Sequence, residues 1–244
     1  YDVTSSSPPR LPAVDTVVFA VGFDRSTGHK IEEVYVDGLR NVLERCPADL
    51  KRFVYLSSTG VYGHTSGDWV DEQSPCAPTR DGGKACLAAE KLLRAHPQFG
   101  EKSIVLRLAG IYGPDRLPQM AQILRGEPLP VAKDGFLNLI HVEDIVKVVQ
   151  LSLSAKSPDL FCVSDGHPVR RGDFYLHLAD LLGKSLPGFE PPAPGSSRAA
   201  RARGSKKISN RYLKEQLNPD FSYPDYQQGL RAIVENSGTT DPLN

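Results

Sequence analysis

Four short apolar runs rich in β-branched residues constrain the fold of this chain more than any other feature. They are TVVFAV (16–21), RFVYLS (52–57), SIVLRLA (103–109) and LFCV (160–163). Runs of this length and composition are typical of strands that are buried on both faces. We therefore predict four buried strands.

Helical patterns separate these runs, at residues 31–45, 84–95 and 142–153. Strands that alternate with helices favour a parallel sheet with helices on both of its faces. The predicted fold class is therefore α/β, with a Rossmann-like, doubly wound parallel sheet.

Two stretches interrupt this alternation with Pro-rich turns and further helices, one of them near residues 171–182. We interpret these stretches, residues 114–135 and 166–244, as a small C-terminal substrate lobe. The Rossmann-like body then comprises residues 1–113 and 136–165.

The composition excludes several classes of partner. The 244 residues carry 29 basic and 29 acidic side chains and are 40% hydrophobic. Balanced charge creates no overall field that attracts nucleic acid or an anionic membrane surface, so neither partner is expected. The four cysteines lack metal-site spacing, which predicts unbridged thiols, no metal site and a reducing, cytoplasmic location. No apolar run approaches the roughly 18 residues of a membrane span.

One local charge bias stands out. Seven basic side chains and no acidic one lie between Arg198 and Lys214. Such a run is usually a solvated loop, which is the interpretation we favour. A clamp for an anionic substrate is the alternative.

Hydroxyl and glycine residues follow two of the predicted strands. SSTGVYG (57–63) ends the second strand and RLAGIYGP (107–114) ends the third, while LIHVEDIV (139–146) leads into a helix. At the carboxyl end of a parallel strand such residues can contact a ligand. Gly22, after the first strand, permits a close backbone approach, and Arg25 is a candidate partner for a phosphate.

These three motifs, in this order, resemble the NAD-dependent epimerase/dehydratase family, in the atypical branch of the extended short-chain dehydrogenase/reductases. The resemblance implies NAD or NADP as the cofactor. It also implies a small-molecule substrate, either a sugar nucleotide or a related alcohol or carbonyl compound. The expected assembly is a homodimer paired through residues 31–45 and 84–95.

The resemblance assigns roles to individual residues. Ser58 takes the position of the family's catalytic hydroxyl. The other implied residues are Asp2, Val3, Ala20, Val21, Gly22, Arg25, Ser57, Leu108 and Ala109 for the cofactor, and Thr59, Gly110 and Tyr112 for the substrate.

The chain departs from the family pattern in two places. Gly82 and Cys86 stand where the family has its catalytic Tyr and Lys. No G-x-G-x-x-G occurs, and fewer than sixteen residues precede the first apolar run, whereas a strand-helix-strand unit needs about thirty. We therefore expect a sheet that is truncated at its N-terminal side, in a fragment or a partial reading frame.

The missing Tyr and Lys leave enzymatic activity open. The first hypothesis is an epimerase/dehydratase-like oxidoreductase, and the alternative is a noncatalytic sensor or scaffold that binds a dinucleotide. A third hypothesis is that this chain binds no dinucleotide, because it lacks the glycine-rich turn that cradles the pyrophosphate.

Overall fold

The computed structural model describes residues 1–5, 9–193, 199 and 204–237. Its strands, in chain order, are β1 (Thr16–Phe19), β2 (Arg52–Ser58), β3 (Trp69–Val70), β4 (Ser103–Leu108), β5 (Gly110–Tyr112), β6 (Phe136–Leu137), β7 (Leu139–His141), β8 (Asp159–Val163), β9 (Val169–Arg170) and β10 (Lys207–Ile208). The helices are α1 (Gly38–Leu43), α2 (Asp81–Arg94), α3 (Met120–Arg125), α4 (Val142–Ser152), α5 (Arg171–Leu181), α6 (Arg211–Leu217) and α7 (Tyr226–Ser237).

The central sheet contains four parallel strands in the order β1-β2-β4-β8. These are the four strands predicted from the apolar runs, and their prediction is confirmed. The predicted helices are also confirmed. A π-helical turn (Glu33–Asp37) and α1 occupy the predicted range 31–45, and α2, α4 and α5 overlap the predicted ranges 84–95, 142–153 and 171–182.

Side chains that alternate along the central strands fill a core on each face of the sheet. Phe53 and Tyr55 pack with residues of α1 and α2. Val54 faces the opposite side and packs with residues of α4 and α6, including Val148 and Leu213. Because both faces are covered by helices, the doubly wound Rossmann-like prediction is confirmed.

Helix α2 begins earlier than the periodicity predicted. We expected its start at Lys84, whereas the helix starts at Asp81 and includes Gly82 and Gly83. Two adjacent glycines disfavour a helix in sequence terms. Asp81 favours this start, because an acidic side chain in the first turn is stabilised by the helix dipole.

A separate apolar cluster lies outside the central sheet. It joins α3, α5 and α7 through buried side chains that include Ile123, Phe174 and Leu230. Helix α6 follows this region in the sequence but packs against β8, with Leu213 in the core of the central sheet. The division into a body (1–113 and 136–165) and a lobe (114–135 and 166–244) stays a proposal.

Two further properties concern the described residues. None of the helices there combines the length and apolarity required to cross a bilayer. All four cysteines, Cys46, Cys76, Cys86 and Cys162, carry unbridged thiols.

Candidate functional site

Two adjacent serines at the end of strand β2, Ser57 and Ser58, point to opposite sides of the sheet. Ser58 Oγ accepts a hydrogen bond of 3.0 Å from the N–H of Gly60 and thereby caps the short 3-10 turn Thr59–Val61. Ser57 Oγ points into the interior and donates a 2.5 Å hydrogen bond to Glu90. Since side chains alternate along a strand, Ser58 is the serine that a ligand at the strand end can reach.

A cleft of about 720 Å³ opens beside Ser58. It lies between the turns that follow β1 and β2 and the start of α2, at the carboxyl ends of parallel strands. Among its lining residues are Arg25, Lys30, Tyr35, Ser58, Arg80 and Gly82. Ligands of open α/β sheets bind in this position.

Of the residues predicted for the cofactor, Arg25 lines the same cleft as the predicted catalytic residue, Ser58. Ala20, Val21 and Gly22 follow β1 directly, because the strand ends at Phe19. A Cβ at Gly22 would meet no atom within 4 Å, so the space beside this backbone is open. The loop can therefore approach a ligand closely.

Tyr35 is a cleft residue that the sequence analysis did not identify. It lies in the π-helical turn before α1, and its ring packs edge-on against Phe23 at 6.5 Å. Its hydroxyl makes a hydrogen bond with the backbone of Phe23. Burial, followed by the proximity of Cys86, raises the pKa of Tyr35, so the phenol stays protonated at neutral pH.

The two positions that the resemblance aligns with the family's Tyr and Lys, Gly82 and Cys86, also border the cleft. Gly82 presents only backbone there. The Cys86 thiol is buried, and this burial, with a contribution from Glu90, raises its pKa to about 11. Cys86 is therefore a neutral thiol at neutral pH and cannot supply the positive charge of a lysine.

Ser57 belongs to a buried ion-pair network. Arg107 Nη2 lies 2.7 Å from Glu90 Oε2, and both side chains are about 5% exposed. Arg107 also donates to the Tyr62 hydroxyl at 2.7 Å. Burial by itself would lower the pKa of Arg107, but the hydrogen bond and charge of Glu90 raise it overall. Hydrogen bonds connect Ser57 to Glu90, Glu90 to Arg107, and Arg107 to Tyr62.

The residues predicted at the end of strand β4 and directly after it lie against the neighbouring strands. Leu108 and Ala109 are both 7% exposed, and the N–H of Ala109 donates to Val163 at 2.9 Å. Gly110 is exposed and donates to Asn138 at 2.8 Å. Contacts of these residues with a nicotinamide or a substrate stay predictions.

Two predicted substrate residues are buried. Thr59 is 8% exposed and starts the 3-10 turn after β2. The side chain of Tyr112 is fully buried, with its ring 5.2 Å from that of His141. A contact of Thr59 or Tyr112 with a substrate stays a prediction.

The segment with Asp2 and Val3 is anchored on α1. Asn41 donates a 2.9 Å hydrogen bond to the carbonyl of Val3, and the Val3 side chain packs against Gly38. Asp2 accepts hydrogen bonds from Thr4, which lower the pKa of its carboxyl group. An adenine contact by these residues stays a prediction.

The residues of the third motif have structural partners. His141 Nδ1 accepts from the N–H of Glu143 and caps α4. The buried carboxylate of Asp144 accepts from the N–H groups of Ser222 and Tyr223, at 2.7 and 3.0 Å. These contacts tie the chain before α7 to the start of α4.

The basic run around residue 206 is only partly described, since Arg198, Arg201 and Arg203 lie outside the described residues. Within the described part, Arg211 is exposed and pairs with Glu215. Lys206, by contrast, is partly buried and donates to the carbonyl of Tyr62 at 3.2 Å. The interpretation of a solvated loop therefore does not hold for Lys206.

Within the described ranges, no group of three or more His, Cys, Asp and Glu side chains could hold a metal ion.

Comparisons with known proteins identify the relatives of this chain. The protein YeeZ of Escherichia coli K12 is 29% identical over 197 residues, which cover 80% of this chain and 67% of YeeZ. A solved structure of a conserved protein of unknown function from Silicibacter pomeroyi is 30% identical with a TM-score of 0.75, covering 95% of this chain and 81% of that one.

A third relative shows the fold alone, because its identity is low. It is MoeE5, solved with UDP-glucose and NAD, which is 23% identical with a TM-score of 0.74 and covers 93% of this chain and 80% of its own. The sequence profile of the NAD dependent epimerase/dehydratase family matches residues 11–163. This match spans the central sheet, Ser58 and the cleft, and the chain therefore belongs to the NAD dependent epimerase/dehydratase family.

Proposed function

We propose that this protein is an NAD(P)-binding oxidoreductase of the epimerase/dehydratase type that acts on a sugar nucleotide or a related alcohol or carbonyl compound. The observation that carries the proposal is the cleft of about 720 Å³ that holds Ser58, Arg25 and Tyr35 at the carboxyl ends of β1 and β2. The NAD-dependent family and the UDP-glucose and NAD bound by MoeE5 support the choice of ligands.

The residues present fit a dinucleotide in two respects. Gly22 leaves open space beside the backbone after β1, and the guanidinium of Arg25 can pair with a phosphate. A bound nicotinamide would supply hydride chemistry. The substrate would lie next to Ser58, whose hydroxyl can hydrogen-bond to the oxygen of a carbinol or a carbonyl group.

Proton transfer needs a second group, and Tyr35 is the phenol that lines the cleft. Because the phenol is protonated at neutral pH, it would act as a proton donor in the direction of carbonyl reduction. Lys30 borders the same cleft and can lower the cost of forming a phenolate. We assign Tyr35 this role within the proposal.

The first test is calorimetric titration of NAD, NADH, NADP and NADPH into the protein, and into Arg25→Gln and Ser58→Ala variants. We expect binding to the wild-type protein, weaker binding to Arg25→Gln, and unchanged binding to Ser58→Ala. If no dinucleotide binds to the wild-type protein, the proposal is wrong for this chain.

Turnover then separates chemistry from binding. With UDP-glucose and the bound dinucleotide, Ser58→Ala and Tyr35→Phe should each lower the rate by about 10²-fold or more, the size typical of lost acid–base or polarising groups. The exposed Lys84, which pairs with Asp81, provides the control variant Lys84→Gln, with an unchanged rate expected.

The alternative is a noncatalytic sensor or scaffold that uses the cleft for binding alone. Gly82 and the neutral thiol of Cys86, at the positions of the family's Tyr and Lys, favour it. Dinucleotide binding without turnover on a panel of UDP- and dTDP-sugars would support this alternative over the oxidoreductase.

A further inference from the structure

The side chains that line the cleft divide by charge and burial. The apolar and aromatic ones are the less exposed: Phe23, Ile31 and Tyr35 are partly buried, and Cys86 is buried. A neutral thiol such as that of Cys86 behaves as a small apolar group. Of the charged side chains, Arg80 is partly buried and the others are exposed, namely Arg25, Lys30, Glu32 and Asp81. The cleft therefore combines a charged rim with an apolar wall.

The aromatic part of this wall is held in place by the core. The rings of Phe23 and Tyr35 contact each other edge-on, with their centroids 6.5 Å apart. Both side chains pack against the buried cluster that includes Val34, Leu39 and Phe53. A wall that is already ordered needs little rearrangement when a ligand binds, which lowers the entropic cost of binding.

Gly82 leaves open space next to this wall. A Cβ on Gly82 would lie 3.5 Å from Ile31 Cδ1, which is the only atom within 4 Å that the described residues outside its own helix backbone supply. The neighbouring Gly83 borders the catalytic candidate, since its Cα and Ser58 Oγ lie 3.8 and 3.2 Å from the position of a Cβ on Gly60. The open space therefore has an apolar side chain at one side and lies close to the hydroxyl of Ser58.

Apolar space of this kind favours an apolar ligand. Water in it would find few hydrogen-bond partners, and the hydroxyl groups of a sugar would lose theirs. An aromatic ring would instead be removed from water and could pack against the rings of Phe23 and Tyr35. The cleft, with a volume of about 720 Å³, is large enough for a ring and its substituents.

We propose that the space beside Gly82 is a subsite for an aromatic ring of the substrate. Phe23, Ile31 and Tyr35 form its wall. The carbonyl or carbinol oxygen next to the ring then reaches Ser58. This inference deepens the proposed function and rests on it, because it favours, among the proposed substrates, an alcohol or a carbonyl compound that carries an aromatic ring.

Two ketones that differ by one ring test this subsite. Acetophenone carries a phenyl group next to its carbonyl group, acetone has a methyl group there, and glucose serves as a polar ligand. Binding is measured by saturation-transfer NMR, which detects weak ligands, in the absence and in the presence of NADH. We expect acetophenone to bind saturably and at least ten-fold more tightly than acetone, because its ring fills the apolar space. Equal affinities for the two ketones, or tighter binding of glucose, would overturn the proposal.

The variant Gly82→Phe places a ring from the protein in the same space. Because a Cβ at this position meets only an ordinary contact, the variant should fold. It should bind acetophenone at least ten-fold more weakly than the wild-type protein does, since the two rings compete for one site. Gly82→Ala, which adds a single carbon, should cause a smaller loss.

Lys91→Phe is the matched control, because it adds the same ring at an exposed position of the same helix, α2, outside the lining of the cleft. Its affinity for acetophenone should equal that of the wild-type protein. If Lys91→Phe loses as much affinity as Gly82→Phe, or if Gly82→Phe loses none, the proposal is wrong.

NADH titration separates this subsite from the proposed function. We expect Gly82→Phe to bind NADH as the wild-type protein does. If its affinity for NADH falls together with that for acetophenone, the space holds the nicotinamide ring and the subsite proposal is overturned. If the wild-type protein binds acetophenone but no dinucleotide, the subsite stands and the oxidoreductase proposal fails. If it binds NADH but not acetophenone, the reverse holds.

Discussion

Asp165 is a buried carboxyl group that lacks full hydrogen bonding. Its Oδ1 accepts a 2.8 Å hydrogen bond from the N–H of His167, whereas its Oδ2 is buried without a hydrogen-bond partner in the described part of the chain. Burial raises the pKa of Asp165 to about 7, and the negative charges of Asp225 and Asp144 add to this effect. Lys214 acts in the opposite direction.

This carboxyl group should make stability depend on pH. In the unfolded chain Asp165 ionises near its ordinary pKa of 3.8, whereas in the folded protein it ionises near 7. The folded state binds the proton more tightly, so the contribution to stability is complete below about pH 4 and is lost as the pH rises through 7. The loss should amount to roughly 2–4 kcal/mol.

Urea unfolding of Asp165→Asn between pH 4 and 8 measures this contribution. In the wild-type protein the free energy of unfolding should fall as the pH rises. Most of this fall should be absent from the variant, which should be the more stable of the two at pH 8. Asp180→Asn, at an exposed position of α5, should follow the wild-type curve. Parallel curves for the wild-type protein and Asp165→Asn would contradict the prediction.

At the scale of elements, the start of α2 is positioned by one close backbone contact. A Cβ at Gly83 would lie 2.2 Å from the carbonyl oxygen of Gly60, which is too close for any side chain. A Cβ at the neighbouring Gly82 would lie 3.5 Å from Ile31 Cδ1, an ordinary contact. A side chain therefore fits at Gly82 but not at Gly83.

Gly83→Ala should displace α2 from the turn after β2 and lower the free energy of unfolding by about 1–3 kcal/mol, the cost typical of overpacking. The displacement should also weaken ligand binding in the cleft, since Arg80 and Gly82 move with the helix. Gly82→Ala should be neutral or stabilising, because alanine favours a helix over glycine by up to about 1 kcal/mol. Denaturant unfolding of both variants measures the difference, and equal losses would refute this account of the contact.

Most of the fold could be predicted because its signals are local. The alternation that buries Phe53 and Val54 on opposite faces is a property of one strand. The start of α2 was missed because Gly82 and Gly83 are poor helix formers. Gly83 is needed there because the helix packs closely against Gly60, which belongs to another element.

The site was predicted less completely, because its residues come from separate elements. Arg25 and Ser58 follow strand ends, a local signal that sequence reasoning can use. Tyr35 looked like any residue of a helix, and Lys206 was one charge in a basic run. The position of Tyr35 in the cleft and the partial burial of Lys206 depend on packing between distant parts of the chain, which no local pattern reports.

At the scale of the whole molecule, two surfaces could join copies of the chain. The predicted homodimer uses residues 31–45 and 84–95, where the exposed positions of α2 include Ala88. Helix α4 offers a different surface, with exposed apolar side chains at Val142 and Val146. Exposed apolar side chains favour an interface through α4. The resemblance to the family instead implies an interface through residues 31–45 and 84–95.

Sedimentation equilibrium of two charge variants distinguishes these surfaces. We expect the wild-type protein to sediment at twice the mass of one chain. Ala88→Glu should shift it to the monomer, because a charge would be buried at the predicted interface. Val146→Glu should leave the dimer intact. The opposite pattern would assign the interface to α4, and a monomeric wild-type protein would exclude the homodimer.

The unequal surroundings of Gly82 and Gly83 also have an evolutionary consequence. Selection should act against a side chain at Gly83, where a Cβ would lie 2.2 Å from a carbonyl oxygen, whereas a side chain at Gly82 would meet only an ordinary contact. The position that the resemblance aligns with the family's tyrosine is therefore expected to tolerate substitution. In lineages that share this packing, the chemistry of the cleft can change faster than the scaffold around it, so that an inherited shape outlives the reaction for which it was first selected.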